Sequence, residues 1–170
     1  MGAESLQLTA TMEDYLESIL LLSRKRRVVR MRDIANLLGV TPSTATGAVQ
    51  ALKKHGLLSH EKYEDVILTP RGQSIAEDVY QRHEDIRDFL QAVLLLDREM
   101  AEEEACRIEH SITPFTLERL RRFAATLRLC NQGEPGCLRA FRTYVDTGEL
   151  VPPPCAQVAG GQRLQPEEVG

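Results

Sequence analysis

The sequence predicts a mainly α-helical protein: an N-terminal winged helix-turn-helix followed by a second, helical domain. Three observations predict it. The first is composition. The 170 residues are 42% hydrophobic but only 5% aromatic, with no Trp. Such a core is packed from Leu, Ala, Val and Ile, which suits helices better than a β-sandwich. The second is period. Apolar residues recur every 3.6 positions in one segment after another, and three segments open on Thr-Pro, at Thr41-Pro42, Thr69-Pro70 and Thr113-Pro114. Thr is a good N-cap, and Pro suits the first helical position, where its missing N–H costs nothing. The third is residues 31–58, which read as helix, Gly-containing turn, helix, the spacing of a helix-turn-helix. The length supports one or two small domains with real cores.

Each element follows in order. A first helix is expected over 10–24, with Leu16, Ile19, Leu20 and Ser23 on one face beside Tyr15, and Thr9 or Thr11 as cap. Residues 24–30 form a basic connection. Ile34, Ala35 and Leu38 make the apolar face of a short helix that Gly39 ends by accepting a left-handed backbone. Val40 plugs the turn. The next helix starts at Thr41-Pro42, turns Ala45, Val49 and Leu52 inward, and stops at Gly56 after the helix-end residue His55. Residues 57–60 and 66–69 are expected strands of a wing that includes His60. A long helix then runs from Thr69-Pro70 to near Leu96, with Ile75, Val79, Ile86 and Phe89 on its apolar side. Helices at about 99–111 and 114–129 come next, the latter with Leu117, Leu120 and Phe123 inward. Two Gly and a Pro within 131–136 force a turn before a short helix over 137–147. From Gly148 the chain turns to Pro, Gly, Gln and Glu, the composition of a disordered tail. The expected domains are 1–72 (winged helix), 73–147 (helical domain) and 148–170 (tail).

Charge divides the same way. Through Gly72 there are ten basic and eight acidic residues; from Gln73 there are eleven and seventeen. The first part also holds the cluster Arg24-Lys25-Arg26-Arg27, then Arg30 and Arg32. A DNA-facing half and an acidic regulatory half fit this asymmetry, as does a merely solvated charged surface. No stretch is long and apolar enough to span a membrane and no signal segment is evident, so a cytoplasmic protein without a membrane partner is expected. The four cysteines, Cys106, Cys130, Cys137 and Cys155, are then better read as ligands or free thiols than as disulfides. Cys130 and Cys137 bracket the turn CNQGEPGC, whose spacing matches no zinc motif.

The chemistry lies in ligand-type side chains at helical spacing. Asp14 and Glu17 are three apart; Cys106, Glu109 and His110 stand at i, i+3 and i+4; His83 lies between the groups. Residues three and four apart share a helix face, so each group can aim at one point. Thiolate, carboxylate and imidazole together suit a first-row transition metal rather than calcium or magnesium. Singly, each residue has an ordinary reading: surface or helix-dipole charges for Asp14 and Glu17, a C-terminal cap for His110, a small buried hydrophobe for Cys106.

TMEDYLESI (11–19), the winged helix, VYQRHEDIRDFL (79–90) and ACRIEHSI (105–112) resemble, in this order, segments of the diphtheria-toxin-repressor family of metal-dependent repressors. The resemblance spans about residues 9–145 and lacks the family's third, SH3-like domain. It implies a metal-activated homodimer that binds a palindromic operator in duplex DNA and controls genes of metal homeostasis. It implies Asp14, Glu17, His83, Cys106, Glu109 and His110 as metal ligands. Asp14 and Glu17 match the manganese branch, whereas Cys106 agrees with the iron branch. The iron branch's ancillary site expects a carboxylate and a His where Arg87 and Glu102 stand, which puts that site in doubt here. Fe(II) satisfies both the thiolate and the carboxylates and is the expected metal. Mn(II) comes next, and Zn(II), Co(II) and Ni(II) suit the donor set in vitro.

The DNA readers are expected at the start of the recognition helix: Thr41, Pro42, Ser43, Thr44, Thr46, Gly47 and Gln50. Most are small and neutral, so Gln50 would make the base hydrogen bonds while methyl contacts and DNA shape supply the rest. Arg26, Arg27, Arg30, Arg32, Lys53, Lys54, Lys62 and Arg71 are candidates for phosphate contact. Dimerisation is expected through the apolar positions Leu117, Leu120, Phe123 and Leu127. Two other classes stay open at this stage: a metal-independent winged-helix regulator with a cysteine switch, and an enzyme. The second has no evident third catalytic group or phosphate-binding loop, so no enzyme is expected.

Overall fold

The computed structural model describes residues 8–26, 28–59, 65–129 and 135–152. Arg27, His60, Lys62, Cys130 and Cys155, the wing tip and the tail beyond residue 152 lie outside the described residues. The order is α1 (Ala10–Lys25), α2 (Met31–Leu37), α3 (Pro42–Lys54), β1 (Leu58–Ser59), β2 (Ile67–Leu68), α4 (Pro70–Val93), α5 (Arg98–Glu109), α6 (Pro114–Arg128) and α7 (Gly136–Thr147).

The helix starts are fixed by side-chain caps. Thr9, Thr41, Thr69, Asp97 and Thr113 each accept a backbone N–H three residues on, satisfying a donor that has no partner within the helix. Between α2 and α3 the backbone turns at Gly39, whose φ is +65°, and Val40 donates its N–H back to the Ala35 carbonyl. Ile34, Ala35, Ala45, Val49 and Leu52 of this unit pack with Tyr15, Leu16, Ile19 and Leu20 of α1 in the first core. Thus α1 belongs to the helix-turn-helix unit although it carries Asp14 and Glu17.

The wing strands are shorter than the four residues each that the sequence suggests. Leu58 pairs with Leu68 and Ser59 with Ile67, antiparallel. Val66 instead gives its N–H to the Val29 carbonyl, so it ties the wing to the α1–α2 connection rather than extending the ladder. Gly72 then brings α4 against the residue that enters β1: a Cβ there would lie 2.0 Å from the Leu57 carbonyl oxygen.

The helix α4 joins this unit to a second core of Ile86, Leu90, Ala101, Ala105 and Leu117. It ends at Val93, short of the expected Leu96. Leu95 takes a left-handed φ of 60°, and the N–H groups of Leu94 and Leu96 both return to the Leu90 carbonyl, a helix-ending arrangement. On α6, Leu117 is buried, but Phe123 is 49% exposed and not inward as its spacing suggests. Its ring meets Phe89 at a tilt of 55°, 6.1 Å between centroids. No α7 residue is buried, although its sequence is amphipathic. Among the described residues no helix is long and apolar enough to cross a membrane.

Candidate metal centre

Three helices meet where α1, α4 and the end of α5 pack together. The first contributes Glu13, Asp14 and Glu17, the second Arg82 and His83, and the third Cys106 and Glu109, with His110 as its C-cap. Helical spacing alone puts Asp14 with Glu17 on one face, and Cys106 with Glu109 and His110 on another. Packing of α4 against both α1 and α5 then makes the faces converge.

Glu109 is the centre of this cluster. Its side chain is fully buried, which is costly for a carboxylate without strong partners. Oε2 lies 2.9 Å from Nδ1 of His83. Oε1 has no hydrogen bond, although Nε2 of His110 lies 3.2 Å away in ion-pair contact. His83 is also buried, and its Nε2 has no hydrogen bond; Glu102 stands 3.3 Å from it, within ion-pair reach but poorly aligned. Two sets of three ligand atoms, each set within 4.8 Å of one another, share Glu109: Glu17, His83 and Glu109, and Asp14, Cys106 and Glu109. His110 adjoins the second set through Nε2, 2.7 Å from Asp14 Oδ1.

Electrostatics favour a cation among these residues. Burial and then the Glu109 charge push Glu17 up to about 7. The hydrogen bond to Glu109 is the main cause that lifts His83 to about 9. Cys106 is exposed as a residue, yet partial burial of its thiol, followed by the charges of Glu109 and Asp14, raises its pKa. Burial opposes the charge on His110, but Glu13, Glu109 and Asp14 together outweigh it and its pKa rises. Carboxylates repelling one another hold protons that a divalent ion would displace. The unpartnered Nε2 of His83 and Oε1 of Glu109 are two buried atoms that such an ion would satisfy. The donor set therefore fits a transition metal.

The positions of the ancillary site behave differently. Arg87 forks onto Glu84, contacts Asp88 at 2.8 Å and lies 3.7 Å from Glu102. A fixed guanidinium there takes the place a cation would need.

Sequence reasoning missed Glu13 and Arg82. Glu13 accepts from His110 Nδ1 at 2.8 Å, and Arg82 bridges Glu13 and the Glu109 carbonyl at 3.4 and 3.0 Å. One signal was available. Glu13 and Glu17 are four apart on one helix, a like-charge pair that destabilises an isolated helix and so asks for partners elsewhere.

The second surface is the recognition helix. Thr41, Pro42, Ser43, Thr44, Thr46, Gly47, Gln50 and Lys53 are all exposed. The Thr41 hydroxyl is committed to the Thr44 N–H at 3.2 Å, and Thr46 donates to the Pro42 carbonyl at 2.7 Å. Arg32 is exposed and Arg26 pairs with Asp33 at 2.7 Å.

Comparison with known proteins gives a consistent result. Residues 7–66 match the model of the iron dependent repressor N-terminal DNA binding domain, and residues 69–138 that of the iron dependent repressor metal binding and dimerisation domain. The chain is 35% identical over 117 residues to an HTH-type transcriptional regulator of Methanocaldococcus jannaschii, covering 68% of this chain and 94% of that protein. It is 38% identical over 112 residues to the HTH-type transcriptional regulator MntR of Lysinibacillus sphaericus, covering 66% and 80%. The manganese regulator SloR superposes with a TM-score of 0.62 at 28% identity, over 76% of this chain and 58% of SloR. The chain thus spans little more than half the length of that solved relative.

Proposed function

Because the chain belongs to the iron-dependent repressor family, we propose that it is a metal-dependent, DNA-binding transcriptional repressor controlling metal-ion homeostasis. Its relatives are transcriptional regulators rather than enzymes. The observation that carries the reading is Glu109: a fully buried carboxylate shared by two ligand sets whose members come from both halves of the chain.

The proposed ligands are Asp14, Glu17, His83, Cys106, Glu109 and His110. These residues would hold a divalent ion, and its coordinate bonds would tie α1 to the α4–α5 pair. Asp14 and Glu17 ride on the helix that packs beneath α2 and α3. His83, Cys106, Glu109 and His110 ride on the helices of the second core. Holding α1 at a fixed angle holds α3, and in a homodimer it sets the spacing of two recognition helices to the half-sites of a palindromic operator. Without that constraint the competent spacing is one of many, and apparent affinity falls by the competent fraction. Thr41, Pro42, Ser43, Thr44, Thr46, Gly47 and Gln50 would face the major groove, with Arg27, Arg32, Lys53 and Lys62 on phosphates. The proposed domains are 1–72, 73–147 and a tail over 148–170.

Fe(II) is the proposed metal, since the Cys106 thiol favours a softer ion than Mn(II) while the carboxylates suit either. Mn(II) is the second reading, favoured by the similarity to MntR and to the manganese regulator SloR. The test is operator binding titrated with Fe(II) under anaerobic conditions, Mn(II), Zn(II), Co(II), Ni(II) and a chelator. Binding should rise with metal and vanish with chelator. Asp14→Ala and His110→Ala should keep the fold and dimer but lose the response. Metal-independent binding equal to wild type in either variant would sink the mechanism.

A further inference from the structure

We infer that Glu13, which is in neither ligand set, is a positioning residue of this centre: it holds the His110 ring so that Nε2 faces the metal position. The inference rests on the metal-centre reading above.

Two carboxylates grip the His110 ring at opposite nitrogens. Nδ1 lies 2.8 Å from Oε2 of Glu13. Nε2 lies 2.7 Å from Oδ1 of Asp14 and 3.2 Å from Oε1 of Glu109. Asp14 and Glu109 belong to a ligand set; Glu13 does not. One edge of the ring therefore points among ligands, and the other is anchored outside them. An imidazole that binds metal through one nitrogen has a proton on the other, and the group accepting that proton fixes both tautomer and ring orientation.

Glu13 is itself held in place. Nη1 of Arg82 lies 3.4 Å from the same Oε2 and donates to the Glu109 carbonyl at 3.0 Å. That carbonyl belongs to the last residue of α5, directly before His110. One guanidinium thus links Glu13 to the backbone that carries the His. Both side chains are largely shielded, Glu13 at 18% and Arg82 at 24% exposure. The near oxygen of Glu13 is already engaged by the imidazole and the guanidinium, as expected of a group that orients a ligand and not of one that binds metal directly.

The experiment uses the full chain, metal-free, titrated calorimetrically with Co(II) and Mn(II), with wild type, E13A, E13Q and H110A compared. Gln can still accept from Nδ1–H but is a poor metal ligand. E13A should weaken binding about 10- to 100-fold, the usual loss for an outer-shell partner, and E13Q should recover most of it. Ring 15N shifts of the Zn(II)-loaded protein supply a second readout: wild type and E13Q should show His110 protonated at Nδ1 and coordinated at Nε2. Wild-type affinity in E13A overturns the inference, and so does E13Q as weak as E13A, which would make Glu13 a ligand. Should E13A also lower the metal-free melting temperature, the isosteric E13Q decides through its 15N signature. Loss of metal by H110A with E13A unaffected refutes only the role of Glu13. Unchanged binding by H110A refutes the metal centre itself.

Discussion

At the scale of single residues, the proposed centre would couple protons to metal. His83 is raised to about 9 from 6.5 by its bond to Glu109, and Glu17 to about 7 from 4.5 by burial and the Glu109 charge. Both groups bind protons more tightly folded than unfolded. Their contribution to stability is fully present below the unfolded values and is lost as pH rises, through about 7 for Glu17 and about 9 for His83. A metal ion held by these residues would replace those protons. The rise in melting temperature caused by Mn(II) should therefore be larger at about pH 8.5 than at about pH 6, and calorimetry in buffers of different ionisation enthalpy should record proton release. Equal metal-induced shifts at both pH values would count against His83 and Glu17 as ligands. As a proposed ligand, Cys106 would set the metal preference. Cys106→Glu should reduce affinity for Zn(II) and Fe(II) relative to Mn(II), in competition against a chelating dye.

At the scale of elements, one local device holds the recognition helix and another the wing. Thr41 caps α3, so Thr41→Ala should cost about 1 kcal/mol of stability in addition to any effect on DNA. Chemical denaturation of the metal-free chain separates the two effects. Gly72 is set by close approach, since any side chain would press on the Leu57 carbonyl. Gly72→Ala should cost about 1–3 kcal/mol as an overpacked site and should displace the wing. Unchanged denaturation midpoints would show that the α4–β1 contact can relax. The starts of these elements were legible from sequence where Thr-Pro marks them, at Thr41, Thr69 and Thr113, while the Asp97 cap of α5 was not read. Element ends were less legible where tertiary bonds intervene: Val66 leaves its strand for Val29, and Leu95 adopts a left-handed backbone that nothing in its side chain announces.

At the scale of the whole molecule, a dimer is the assembly that the proposed function requires. Leu117 is buried within the protomer, so the expected dimer face loses that position. Phe123 remains, half exposed beside the partly covered Leu120 and Leu127. Phe123→Arg should leave the helical content intact and shift the chain toward monomer in light scattering, with a parallel loss of operator binding. A dimer as tight as wild type would place the interface elsewhere on the second domain.

The sequence by itself determined the helical class, the helix-turn-helix and the kinds of ligand available. These depend on composition, on the 3.6-residue period and on caps, all of which are local. It also named two faces, Asp14 with Glu17 and Cys106 with Glu109 and His110, because spacing within one helix is fixed geometry. Only the tertiary structure decided how those faces meet. It put Glu109 at 0% exposure between two ligand sets, gave Arg87 to its carboxylate neighbours, and set Glu13 and Arg82 behind His110. The physical reason is that α1 lies far along the chain from α4 and α5. The angle at which they pack, and so which side chain points to the centre and which supports it from behind, depends on the shapes of both cores together and not on any one segment.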